Sequence, residues 1–177
     1  PPARPFAHEV GAGVAPLRIG LLDHDPHGVH VDPECRDAAR STAKLLESLG
    51  HHVEESYPAA MADASFPPRF GAMWATNQAV SRDALAAMLK RDVTAADIEA
   101  VNWEQAERAS KASALDYAKS MNAAAMFRRA LAEWWHGGFD LLLTPTLARI
   151  PFPVGSFTND PSDPLKPSRL ADRKSTR

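Results

Sequence analysis

The chain is short of sulfur chemistry. Its single cysteine, Cys35, excludes an intrachain disulfide and any zinc site built on cysteines. It also lacks a long apolar run, since none approaches the roughly 20 residues that a membrane span needs. No excess of either charge is present. A net charge of −2 implies neither a nucleic-acid surface nor a polybasic membrane patch. No basic-then-apolar leader opens the sequence, and no internal repeat is visible. These absences set the expectation of a protein in a reducing, cytoplasmic compartment, with no nucleic-acid and no membrane partner. What is present is ordinary for a globular domain: 45% hydrophobic and 24% charged residues over 177 positions.

The most strand-like run is Phe139-Asp140-Leu141-Leu142-Leu143-Thr144-Pro145-Thr146. Three consecutive leucines without alternation suggest a strand covered on both faces. Pro145 lacks a ladder donor, so pairing should end there. In a parallel sheet Thr144 and Thr146 would lie at the carboxyl end, where open α/β sheets place ligands.

Residues 1–16, with four prolines and Gly11 and Gly13, read as a linker. Leu17-Arg18-Ile19-Gly20-Leu21-Leu22 is a short apolar strand that ends in turn chemistry at Asp23 to Gly28. Asp32 suits a helix cap, Pro33 the first helical position and Gly50 the stop. Ala38, Thr42, Leu45 and Leu49 form one apolar stripe. His52-Val53-Glu54-Glu55-Ser56-Tyr57 is a second strand, so 17–58 reads as a βαβ unit with parallel strands. A helical block follows over 59–138. Pro67-Pro68 opens its first helix, which carries Phe70, Met73, Trp74, Asn77, Ala84 and Met88 on one face. Thr94 with Asp97 marks a second helix start, and Ser113 with Asp116 a third. The third bears the stripe Tyr117, Met121, Ala124, Phe127, Leu131 and Trp134 or Trp135, read as core that fills space between helix and sheet. Gly137 and Gly138 stop it. The buried strand over 139–147 and a proline-rich loop and tail over 148–177 complete the chain. The fold class is α/β, and three strands make a thin sheet.

The stretches Arg18 to Leu22, Val31-Asp32-Pro33-Glu34-Cys35, Leu45 to Glu54 and Phe139 to Leu147 together resemble the interior of amidase-signature hydrolases. Trp74 early and Trp134-Trp135 late in the helical block are similar to the branch holding amidases and 6-aminohexanoate cyclic-dimer hydrolases. The resemblance covers roughly residues 1 to 165. It implies part of a large α/β fold around a mixed sheet that hydrolyses carbon–nitrogen amide bonds with no metal or organic cofactor. Its implied partner is a small-molecule amide, and a homodimer of the complete enzyme is compatible with it. The family's machinery is a Ser, a second Ser in a cis-peptide turn and a Lys. A serine hydroxyl needs a base to become nucleophilic, and a desolvated lysine supplies one. The chain has no Gly-Gly-Ser-Ser-Gly-like run and no Ser-Ser pair. The matching residues lie downstream of that signature, and the closing Ala171 to Arg177 does not resemble the family. The expectation is therefore a middle piece of an amidase with no catalytic residue of its own. The alternative is a non-catalytic accessory domain or a degenerate homologue.

Several residues invite chemical readings. Ser41 and Lys44 have Ser-x-x-Lys spacing, but Lys44 should point away from the apolar stripe into solvent. His24, His27 and His30 with Asp23 and Asp25 could hold a divalent ion, yet their spacing fits a solvated turn better. Cys35 in a first helical turn reads as a small half-buried side chain. Trp74 and Asn77 are the candidate substrate-binding residues. Asn77 is expected within an apolar face, either as a core amide bonded to nearby backbone or as a pocket amide facing substrate.

Overall fold

A computed structural model describes residues 4–158, 160 and 162–166. The closing segment Ala171 to Arg177 lies outside the described residues. Three strands, β1 (Arg18–Leu21), β2 (His52–Glu55) and β3 (Leu141–Leu143), form a parallel sheet in the order β2-β1-β3. Ile19 pairs with Val53 on one side and Leu141 on the other. β1 is central because it alone combines apolar side chains with a small waist at Gly20. Its Ile19 and Leu21, and Leu22 just after it, are buried.

The α1 helix (Pro33–Ser48) crosses from β1 to β2 and packs on one face of the sheet. Its contact is made by Ala39 and Ala43 against Leu21, Val53 and Leu143. The apolar stripe read from the sequence is thus displaced by one position. Ala38, Thr42, Leu45 and Leu49 are all exposed. Alanine permits the closest approach of helix to sheet, so the small residues win the interface and the leucines turn outward.

On the opposite face lies the end of α4 (Ala114–His136). Trp134 sits over Gly20, stacks on Phe139 at 4.1 Å and donates its indole N–H to Ser56 Oγ at 2.9 Å. The sequence reading of a tryptophan between helix and sheet is met by Trp134, while Trp135 remains 41% exposed. Further up the helix, Tyr117 and Met121 are exposed rather than core, and Ser120 is buried in their place. Arg18 closes the amino end of the sheet. Its guanidinium lies over Phe139, pairs with Glu54 at 2.6 Å and donates to the Gly137 carbonyl at 3.1 Å.

The remaining helices, α2 (Phe66–Leu89) and α3 (Ala100–Ser110), pack on each other, and α2 also packs on α4. Arg82 joins α2 to α3 by bonding Glu107 at 2.9 Å and Ser110 Oγ at 3.2 Å. Ser113 and Asp116 form the expected capping box at the start of α4. Thr94 donates its amide and its hydroxyl to Asp97, and the Asp97 amide returns to the Thr94 backbone carbonyl rather than to its side chain; these bonds close a turn, and α3 starts only at Ala100. Arg91 grips both Asp97 oxygens there, at 2.7 and 3.0 Å, so the carboxylate is spent on the turn.

β3 is shorter than the expected strand, and Leu141 is 50% exposed. Among the described residues only β1 pairs with it, which leaves its outer edge open.

Candidate functional site

Parallel pairing brings the carboxyl ends of β1 and β3 together. Leu22 N–H donates to the Leu143 carbonyl at 2.9 Å, just before both chains leave the sheet. Asp23 and His24 follow β1, and Thr144 and Pro145 follow β3. With Met61 from the 3-10 turn Ala59–Ala62 they line a cavity of about 190 Å³.

Asp23 is buried here. Its carboxylate accepts from Arg40 Nε of α1 at 2.5 Å and lies 3.4 Å from His24 Nδ1. Burial pushes this carboxyl up, but the hydrogen bonds and positive charges of Arg40 and His24 together hold it below the ordinary range. The His24 ring also meets the Tyr57 ring edge-on at 5.4 Å.

The loop after β3 is fastened to the start of α1. Asp32 N–H donates to the Ala148 carbonyl at 2.8 Å, and Asp32 Oδ2 accepts from Ile150 N–H at 3.2 Å. The side chain expected to cap α1 makes no capping bond. It is diverted to a loop 118 residues away in sequence. The same loop and α1 bound a groove of about 460 Å³, lined by Cys35, Ala38, Thr42 and Thr144 to Leu147. Of the displaced apolar stripe of α1, Ala38 and Thr42 face this groove.

A wider groove of about 610 Å³ lies between the 3-10 turn, the start of α2 and α4. Phe66 stacks on Phe127 at 3.9 Å and 4° and forms its floor. Phe66 also touches Phe70, and Phe70 touches Trp74, at ring separations of 6.2 and 6.4 Å. A run of aromatic rings therefore leads from the groove along α2 to Trp74. Asp63, Arg69 and Lys119 stand around the groove. Hydrogen bonds from Ser65, with Arg69 and His27 nearby, keep the Asp63 carboxyl below its ordinary range.

The structure separates the other sequence candidates. Trp74 is 54% exposed and Asn77 is exposed, one turn apart on α2. Asn77 is thus not a buried core amide within these residues. Ser41 and Lys44 are both exposed on α1. Cys35 is half-buried. Of the loop histidines, His24 meets Asp23, His30 lies 3.5 Å from Asp32, and the His27 amide bonds Asp25. Among the described residues no three His, Cys, Asp or Glu side chains are arranged to hold a metal ion. No described helix is long and apolar enough to cross a membrane. Sequence reasoning missed the Asp23–Arg40 pair and the Arg69 and Lys119 rim. In the sequence only a strand-terminal Asp hints at the pair.

Comparison with known proteins places this arrangement. The profile of the Amidase family matches residues 1–173, past the extent of the sequence resemblance. The 6-aminohexanoate-cyclic-dimer hydrolase of Paenarthrobacter ureafaciens is 32% identical over 148 residues, which is 83% of this chain and 30% of that protein. The enzyme of the same name from Pseudomonas sp. (strain NK87) matches at the same identity and coverage. The structure of a 6-aminohexanoate cyclic dimer hydrolase complexed with substrate superposes with a TM-score of 0.86 at 30% identity, over 92% of this chain and 34% of that one. A bacterial aryl acylamidase of the amidase signature family shares the fold, with a TM-score of 0.66 at 23% identity over 83% of this chain and 30% of that one. The chain spans about 30% of the length of the curated relatives it matches. The chain belongs to the amidase family of carbon–nitrogen hydrolases.

Proposed function

We propose that this chain supplies scaffold and substrate-pocket wall to an amidase whose nucleophile and base lie outside these 177 residues. The observation that carries the reading is a conjunction. The family match covers nearly all of the chain, yet the chain has no Ser-Ser pair and no Gly/Ser-rich signature run. A serine hydrolase needs an activated hydroxyl and an oxyanion site built from backbone amides. Ser41 and Lys44 offer neither, because both stand exposed on α1, outside any enclosed site.

The reaction is hydrolysis of a small amide by a Ser-Ser-Lys centre in the complete enzyme. The names of the relatives point to cyclic amides as the first substrates to try. Trp74 and Asn77 form part of the pocket wall. Both face away from this chain's own core, and Trp74 ends the aromatic run that begins in the large groove. A tryptophan face with a nearby amide suits a ligand that has an apolar body and a peptide-like dipole.

Asn77→Ala in the complete enzyme is expected to raise KM or lower kcat by about tenfold, as expected for loss of one substrate hydrogen bond. Unchanged kinetics with lowered stability would remove Asn77 from the pocket. The isolated chain is expected to hydrolyse no amide. A measured amidase activity of these 177 residues, abolished by Ser41→Ala, would overturn the reading.

A further inference from the structure

We infer that Asp32 is a positioning residue for substrate: its carboxylate fixes residues 144–147 as a wall at the carboxyl end of the sheet, and so sets how tightly the complete enzyme holds its substrate. The inference deepens the amidase reading and rests on it for the reaction that is measured.

Residues 144–147 form an arch pinned at both ends. Before it, the Leu143 carbonyl accepts from Leu22 N–H at 2.9 Å, which ties the arch to β1. After it, the Ala148 carbonyl accepts from Asp32 N–H at 2.8 Å, and Ile150 N–H donates to Asp32 Oδ2 at 3.2 Å. The first pin belongs to the sheet. The second depends on one residue at the start of α1. Between the pins, the Thr144 hydroxyl donates to the neighbouring Pro145 carbonyl at 3.4 Å, a bond that stays within the arch.

The arch divides two spaces. Thr144 and Pro145 line the cavity of about 190 Å³ beside Asp23 and Met61, and the same two residues line the groove of about 460 Å³ beside α1. Moving the arch enlarges one space at the expense of the other. The groove has the volume of a small-molecule site. It lies at the carboxyl ends of parallel strands, where open α/β sheets hold ligands.

The Asp32 carboxylate is oriented for this task from two sides. Oδ2 meets the Ile150 amide, and Oδ1 lies 3.5 Å from His30 Nε2. A capping role would need a bond to the first amides of α1, and the side chain makes none.

The test uses two readouts in the complete enzyme. Asp32→Ala removes both the charge and the acceptor, whereas Asp32→Asn removes the charge and keeps an oxygen for Ile150 N–H. Asp32→Ala is expected to raise KM for the 6-aminohexanoate cyclic dimer about threefold to tenfold with kcat within about twofold, the loss of one hydrogen bond that acts on binding. Asp32→Asn should restore KM to within about twofold. Cys35 lines the same groove as the arch. Its alkylation by iodoacetamide, followed on the Cys35 peptide by mass spectrometry, therefore reports the place of the arch without turnover. Alkylation should quicken about threefold to tenfold in Asp32→Ala and stay near wild type in Asp32→Asn. Equal acceleration in both variants would trace to the charge lost beside Cys35 and would overturn the inference. So would unchanged alkylation in Asp32→Ala, unchanged KM, or a loss confined to kcat. Asp32→Leu, which keeps the bulk without an acceptor, serves if Asp32→Ala fails to fold. A complete enzyme that hydrolyses no amide overturns the amidase reading instead, and alkylation alone then decides whether Asp32 holds the arch.

Discussion

At Gly20 the backbone of β1 passes beneath the Trp134 indole. A Cβ added there would collide with both the ring and the Ser56 carbonyl. The carbonyl belongs to the turn after β2 and cannot rotate away as a side chain could. Gly20→Ala is expected to cost about 1–3 kcal/mol by overpacking, measured as a shift of the urea midpoint. Asp23 sets a different limit. It is a buried carboxylate whose partner, Arg40, is half in water. Asp23→Asn keeps the shape but removes the charge, with an expected cost of about 1.5–3 kcal/mol at neutral pH. Folding lowers this carboxyl's pKa. Its contribution is therefore complete above the unfolded value of about 4 and is lost as pH falls through the lower folded value. Urea titrations of the two proteins should converge below pH 4. A gap that persists in acid would show that the loss is steric.

Among elements, α1 departs most from its sequence reading. Asp32 stands at the cap position but bonds the loop after β3 instead. Asp32→Ala should therefore leave α1 intact and free the loop. The Ile150 amide is expected to exchange about tenfold faster, the loss of one hydrogen bond, while α1 amides keep their protection. If α1 frays as well, the capping role holds after all. Strand, helix and turn positions were legible from composition because each rests on local chemistry. Pro33, Gly50, the Ser113–Asp116 box and Gly137-Gly138 act within a few residues of themselves. Thr94 and Asp97 show where this logic stops. Here the Asp97 amide bonds the Thr94 carbonyl instead of its hydroxyl, closing a turn, and the chain does not continue as a helix until Ala100.

For the whole molecule, exposed apolar surface is the dominant property. Leu141, Leu147, Phe70, Trp74 and Met88 are all at least half exposed. Among the described residues β3 has an open outer edge, and such edges template association. The isolated chain is expected to self-associate with rising concentration, seen by sedimentation velocity. Leu141→Lys should shift it toward monomer by placing a charge on that edge. A chain that stays monomeric at high concentration and unfolds in a two-state transition would favour a self-standing domain.

The sequence by itself determined the βαβ unit, the helical block, the last strand and the family resemblance, since these depend on periodicity, breakers and the order of short motifs. Tertiary structure alone decided which faces are inside. α1 buries Ala39 and Ala43 rather than its leucine stripe, because helix–sheet distance selects small residues. Asn77 faces outward, because α2 spends its other faces on α3 and α4. The Asp23–Arg40 pair and the Lys119–Arg69–Asp63 rim also arise only on folding. Their members are 17 residues or more apart, except Arg69 and Asp63, and no local period links charges that meet across elements.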